Sequence, residues 1–202
     1  MHIIVALGLG KGTVVALQMV MTRQMTMEMW SLGTDYTLVR LLAPAKEAGT
    51  ATLMANDNIW NYLPKVDCTI KIPSSMMGGA WMGSHFTNDD LVQESQMIDV
   101  YDVAVAFDGE RDGVMVWERR LTPKPEAAVV WGSLEFLVGQ DDNRPRWAKY
   151  YDEDGELVRT MDYSEVTEFG GRLVPAVMNM QPADKPGERT TIRYEELDFD
   201  IE

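Results

Sequence analysis

The sequence predicts a mainly β protein with about eleven to thirteen antiparallel strands. Apolar and polar residues alternate with a period of two along much of the chain, and turn residues interrupt the alternation every eight to twelve positions or so. Helical periodicity is scarce. With so little helix to cover them, the strands must bury a face by curling into a barrel or by stacking as two sheets.

The strands follow one another along the chain. The first is expected at 24–30, where Met27 and the neighbouring methionines share one face and Trp30 lies on the other. In the last segment, Leu197, Phe199 and Ile201 are expected to face inward. The other strands are expected near residues 36–42, 50–55, 58–63, 69–72, 102–107, 114–121, 132–138, 146–151, 157–166 and 173–180.

One helix is expected in the middle of the chain. Thr87 suits the N-cap position, and Asp89 and Asp90 in the first turn complement the helix dipole. The helix is expected to run to about Gln96. Because the length of 202 residues suits one domain and no linker or repeat is visible, residues 1–202 are expected to form a single domain.

The charge balance excludes some partners. Eighteen basic and 32 acidic side chains give a net charge of −14, which argues against nucleic acid or an anionic membrane as the main partner. Cys68 is the only cysteine, so no disulfide forms within the chain, and we expect a half-buried strand residue there.

Motifs for catalysis, metals or cofactors are absent from the sequence. The glycines at the start fail both the dinucleotide and the phosphate-loop spacing, because Thr13 stands where a third glycine is needed. The two histidines form no metal motif, and "DEDGE" at 152–156 is better explained by a hairpin turn than by a calcium loop. A pair of glycosidase-like carboxylates is not excluded. We therefore predict no catalytic residue, no metal ligand and no cofactor, and expect a protein that is not an enzyme.

The segment "SSMMGGAWMGSHFTNDD" at 74–90 is the most distinctive stretch. Methionine adapts to varied apolar partners, and glycine lets a segment move, so the stretch is predicted to be a mobile apolar flap anchored by the capped helix. The alternative is that these methionines fill gaps in an ordinary core. The residues expected to contact a ligand here are Met76, Met77, Trp81, Met82 and Phe86.

Several segments resemble the LolA-like outer-membrane lipoprotein-sorting family, in its uncharacterised branch. They are "APAKEAGTATL" at 43–53, "IWNYLPKVD" at 59–67, "IKIPSSMMGGAWMGSHFTNDDL" at 70–91, "YYDEDGELVRTM" at 150–161 and "RLVPAVMNMQPADKPGERTTIRYEELDFD" at 172–200. The resemblance implies an antiparallel sheet curled into an unclosed half barrel, with short helices and loops plugging a concave apolar side that holds acyl chains. It also implies a periplasmic location. Residues 1–13 depart from the family, whose members open with a lid helix.

The resemblance and the apolar flap together indicate a carrier of lipids or acylated lipoproteins, acting in outer-membrane lipoprotein sorting or lipid export. The alternative is a non-transporting accessory or lipid-sensing module of an inner-membrane transporter. Trp60, Tyr62 and Met27 are expected as further wall residues of the cavity. The apolar run from Ile3 to Gly10 lacks a basic flank and a clear cleavage site, so we expect no signal peptide in this sequence.

Overall fold

The computed structural model describes residues 23–33, 35–56 and 58–199, except for the side chains of 92–96. It contains twelve β-strands and one α-helix in these ranges, which confirms the predicted mainly antiparallel β fold. Its contacts divide the chain after Ile72 into two compact units. A single domain over 1–202 stays a prediction, and the atypical N-terminus at 1–13 lies outside the described residues.

The first unit contains a five-stranded antiparallel sheet in which each strand pairs with the next along the chain. Residues buried on one face alternate with residues exposed on the other, as in β2, where Val39 and Leu41 are buried and Leu38 is exposed. The strands are β1 (Thr26–Leu32), β2 (Tyr36–Ala43), β3 (Ala51–Ala55), β4 (Asn58–Leu63) and β5 (Cys68–Lys71).

The second unit contains a seven-stranded antiparallel sheet, also ordered as consecutive hairpins. Its buried face includes the row Ala148, Met161 and Met180, which are directly paired across three neighbouring strands. The strands are β6 (Tyr101–Arg111), β7 (Val114–Pro123), β8 (Ser133–Gly139), β9 (Pro145–Tyr151), β10 (Leu157–Phe169), β11 (Arg172–Pro182) and β12 (Thr190–Arg193).

The helix α1 (Asn88–Val100) precedes this sheet and begins where the sequence predicts. The Thr87 hydroxyl accepts a hydrogen bond from the backbone N–H of Asp90 at 3.2 Å, and the Asp90 carboxylate accepts one from the backbone N–H of Thr87 at 2.6 Å. This reciprocal capping box satisfies two donors at the helix start. The helix extends one turn beyond the predicted end at Gln96, and β6 follows it without a loop.

A buried arginine joins the start of α1 to the seven-stranded sheet. Arg159 on β10 is only 3% exposed, and its guanidinium forms an ion pair with Asp90 and donates to the backbone carbonyl of His85 at 2.8 Å. The same guanidinium lies 4.2 Å from the ring centroids of both Trp131 and Tyr150. The capping residue Asp90 is thus held from the helix side and from the sheet side.

Two further sequence predictions differ from the structure. The segment after Arg193 is not a strand, although Leu197 and Phe199 are half-buried. Alternating burial requires only that one side of a segment be covered, and pairing between β12 and β11 ends at Arg193. Ile201 lies outside the described residues. Cys68 is exposed rather than half-buried, because it begins the edge strand β5.

Candidate functional site

One face of the five-stranded sheet carries large apolar side chains at the surface. Trp30, Leu38, Leu53 and Trp60 are directly paired across β1 to β4, so they form one transverse row, which we call the apolar row. Trp30, Leu38 and Leu53 each keep 37–39% of their surface exposed. This side of the sheet is called the open face. Adjoining exposed apolar side chains of this kind are typical of a binding surface.

A groove with a volume of about 490 Å³ lies on the open face. Small side chains on either side of Leu53 create the hollow, since Ala51 and Ala55 leave room between the larger residues of neighbouring strands. The volume falls within the range of about 300–1,000 Å³ of small-molecule sites. The groove is lined by Leu38, Ala51, Leu53, Ala55, Trp60, Tyr62 and Thr69.

A second hollow of about 210 Å³ adjoins the groove. Leu38 and Leu53 line both, so the two hollows adjoin along the apolar row. Trp30 and Leu32 on the edge strand β1 complete its far end. An elongated ligand lying across the strands would therefore meet apolar surface along the whole row.

Trp60 and Tyr62, two of the predicted wall residues, both line this groove. The Tyr62 hydroxyl donates a hydrogen bond of 3.0 Å to the Asp67 carboxylate. This hydrogen bond and the negative charge of Asp67 raise the pKa of Tyr62 above its usual value. The ring of Tyr62 forms part of the groove wall.

Met27 is not brought together with these residues. It pairs with Leu41, whereas Trp30, on the same strand, pairs with Leu38. Since side chains alternate across a strand, Met27 lies on the opposite face of the sheet from the groove. The sequence placed the two methionines of β1, Met27 and Met29, on one face correctly, but it did not show which face carries the groove.

The methionine-rich segment belongs to the second unit and follows a defined path. The backbone N–H of Asp89 donates to the carbonyl of Met77 at 2.9 Å, and that of Asn88 donates to the carbonyl of Gly79 at 3.0 Å. The Trp81 N–H donates to the carbonyl of Phe86 at 2.7 Å, closing a small loop. These bonds tie the segment to the start of α1.

The five predicted residues of this segment differ in accessibility. Trp81 and Phe86 are buried, Met77 and Met82 are half-buried, and Met76 is 55% exposed. Met82 has a φ of 52°, a left-handed conformation that is uncommon for a non-glycine residue. Met76 therefore offers the most accessible side chain of the five, whereas Trp81 is shielded from a ligand in this conformation.

Sequence reasoning missed Leu38 and Leu53, although a signal for them exists. The strands β2, β3 and β4 read "YTLVRLLA", "ATLMA" and "NIWNYL", with apolar residues at both odd and even positions. Strands of this kind carry apolar side chains on both faces. One face supplies the buried residues, such as Val39 and Ile59, and the other supplies the apolar row.

Two further properties concern the described part of the chain. No three His, Cys, Asp or Glu side chains there are grouped closely enough to hold a metal ion. No helix within it has both the length and the apolar composition needed to cross a membrane.

Comparison with known proteins identifies the family. A family model described as "Uncharacterized protein" matches residues 33–202, so the chain belongs to that family. No curated protein sequence matches the chain.

Solved structures share the fold. A domain named for outer-membrane lipoprotein sorting, from Vibrio parahaemolyticus, aligns with a TM-score of 0.78 at 22% identity, covering 92% of this chain and 81% of that one. A LolA superfamily protein from Nitrosomonas europaea gives 0.72 at 23% identity, with 85% and 76% covered. A DUF1329 family protein from Desulfovibrio piger gives 0.74 at 23% identity, with 83% and 72% covered. The fold is therefore LolA-like, which confirms the resemblance predicted from the sequence.

Proposed function

We propose that this protein binds the acyl chain of a lipid or an acylated lipoprotein on the open face of its five-stranded sheet. The observation that carries the proposal is the apolar groove of about 490 Å³ bordered by the exposed side chains of Leu38 and Leu53. Burial of a methylene group contributes about 0.8 kcal/mol, so a chain of many methylenes gains ample free energy from such a surface.

The proposed role is binding and carriage rather than catalysis. The groove lining is apolar apart from the hydroxyls of Tyr62 and Thr69, which suits retention of a hydrocarbon. An open groove also suits release, because a carrier must give up its cargo. The LolA-like fold supports a place in lipid or lipoprotein transport in the periplasm, and the lipoprotein-sorting name of the Vibrio domain agrees with that role.

The binding proposal is tested with a fluorescent long-chain acyl ester, which has a neutral head group. Leu53→Glu places a charge at the centre of the groove, where desolvating it is unfavourable. We expect the affinity for the ester to fall at least tenfold, or about 1.4 kcal/mol. Ala51→Phe should have a similar effect without a charge, because the ring fills the hollow.

Leu173→Glu is the matched control, because it makes the same substitution at an exposed leucine of the seven-stranded sheet. We expect this variant to bind the ester as the unchanged protein does. The proposal would be contradicted if Leu53→Glu and Leu173→Glu lost the same affinity for the ester, or if Leu53→Glu bound the ester as the unchanged protein does. Urea unfolding of each variant separates loss of the site from loss of the fold.

The cellular part of the proposal has its own test. Protein purified from its native cells without detergent is expected to come from the periplasmic fraction and to carry a lipid detectable by mass spectrometry. Recovery from the cytoplasmic fraction would contradict the location. Recovery without lipid, in a stable complex with a membrane permease, would favour the accessory module instead.

A further inference from the structure

Arg40 and Lys71 are cations on the open face, and they differ in whether an acidic side chain neutralises them. Arg40 is neutralised by Glu28, whose carboxylate lies 2.6 Å from the guanidinium, and it also lies 5.2 Å from the ring centroid of Trp30. Lys71 has no ion-pair partner among the described residues, and its ammonium group lies 5.7 Å from the ring centroid of Trp60. The positive charge of Lys71 is therefore available to a ligand.

Lys71 occupies a special place relative to the groove. It is the direct cross-strand partner of Trp60, so it continues the apolar row onto the edge strand β5. Adjacent strands lie about 4.8 Å apart, so the row from Trp30 to Lys71 spans about 19 Å. A fully extended sixteen-carbon chain has nearly the same length, because each bond of about 1.5 Å advances the zigzag by about 1.25 Å.

The sequence distributes its charge unevenly between the two units. Residues 1–72 contain six basic and five acidic side chains, whereas residues 73–202 contain twelve basic and twenty-seven acidic ones. The acidity of the chain is thus a property of the second unit. The sheet that carries the groove is nearly neutral, and an anionic group is not repelled there as it is by the rest of the chain.

The volume of the groove is comparable to the size of one acyl chain. An engineered protein cavity of about 150 Å³ accommodates benzene, which has six carbon atoms. The groove volume of about 490 Å³ is near three times that value, which corresponds to one long acyl chain rather than two. The adjoining hollow of about 210 Å³ gives room for the end of the same chain.

We infer that the ligand is a single-chain amphiphile with an anionic carboxylate head, lying along the apolar row with its carboxylate against Lys71. This inference rests on the proposed function and names the class of ligand. The single positive charge of the Lys71 ammonium matches the single negative charge of a carboxylate. A phosphate monoester carries a charge of about −1.5 to −2 at pH 7 and would need a second cation, but the guanidinium of Arg40 is already paired with Glu28.

The test compares three probes of equal chain length: a long-chain fatty acid, its methyl ester and the alkyl phosphate. Lys71→Gln should weaken fatty-acid binding about two- to fivefold, as expected for a solvent-exposed ion pair, and should leave ester binding unchanged. Lys71→Glu should weaken fatty-acid binding further, and the effect should shrink at high salt.

Lys65→Glu is the matched control, because it makes the same charge change in the turn that precedes β5. We expect it to leave the affinity for the fatty acid nearly unchanged. The inference would be overturned if Lys65→Glu weakened fatty-acid binding as much as Lys71→Glu does. It would also be overturned if Lys71→Glu weakened ester binding as much as fatty-acid binding. Both outcomes would leave the proposed function intact. Stronger Lys71-dependent binding of the alkyl phosphate would overturn the choice of a carboxylate. Binding of none of the three probes would contradict the proposed function itself.

Discussion

In the five-stranded sheet the paired residues Leu38 and Leu53 lie at the surface, whereas in the seven-stranded sheet the paired residues Met161 and Met180 are buried. Both sheets are antiparallel and both obey the same alternation of faces. The difference lies in what covers the apolar side. In the second unit, residues 85–90 are anchored over the sheet by Arg159.

Similar apolar side chains therefore have different roles in the two units. Burial of apolar surface in the second unit contributes to the free energy of unfolding. Apolar side chains exposed in the first unit contribute less to that free energy, so they are free to contact a ligand. Substitutions of buried residues in the seven-stranded sheet should therefore change stability, and substitutions of apolar residues on the open face should change binding.

The largest expected effect on stability is at Arg159. Arg159→Met keeps a long side chain between Trp131 and Tyr150, but it removes the charge and leaves Asp90 without its ion pair. Breaking a buried ion pair costs about 3–5 kcal/mol, so the urea midpoint should fall strongly. Ester affinity of the folded variant should be unchanged.

Arg193→Met is a control for this variant. Arg193 forms a two-pronged ion pair with Glu165, but both side chains are exposed to solvent. Its removal should change the urea midpoint little, because water screens such pairs. A fall in midpoint as large as that of Arg159→Met would show that burial is not what distinguishes the two arginines.

The next effect concerns the methionine-rich segment, whose ligand contacts stay a prediction. If it is a flap, Met77→Glu with Met82→Glu should lower acyl-probe affinity at least tenfold, or about 1.4 kcal/mol. Stability should change little, because a mobile flap makes few core contacts. If these methionines are core residues, the variant should instead lose several kcal/mol of stability, about as much as other core substitutions. Urea midpoint and probe affinity, measured on the same variant, separate the two interpretations.

The smallest effect concerns the helix cap. Thr87→Ala removes the side-chain acceptor of the capping box, and loss of an N-cap costs about 1 kcal/mol. Thr87→Ser keeps the hydroxyl and should retain most of that stability. Thermal unfolding of both variants checks the prediction, and an equal loss in the two would show that the methyl group of Thr87 matters rather than its hydroxyl.

The local structure was predictable where its cause is local. Alternation and turn residues located the strands, and Thr87 with the following aspartates located the start of α1. The helix end at Val100 was missed, because no glycine or proline marks it. The ion pair of Arg159 with Asp90 and its contact with Trp131 could not be predicted either. Nothing in the sequence of β10 shows that these distant residues lie beside Arg159 in the fold.

The candidate site was predictable only in part. Trp60 and Tyr62 were predicted as wall residues and both line the groove, whereas their contact with a ligand stays a prediction. Leu38 and Leu53 were missed, because an apolar residue in a strand is usually read as core. Whether a face of a sheet stays exposed depends on whether another part of the chain packs against it. This is a property of the whole folded chain rather than of a single strand.

The most direct test of the central claim is quenching of one tryptophan by a bound acyl chain. Two variants, each shown to be folded by circular dichroism, keep either Trp60 or Trp147 and have phenylalanine at the other five tryptophan positions. Trp60 lines the groove, and Trp147 lies on the seven-stranded sheet beside Lys149. A long-chain ester labelled with a nitroxide should quench Trp60 emission saturably and leave Trp147 emission unchanged. Quenching of Trp147 with no effect on Trp60 would contradict the assignment of the acyl chain to the open face.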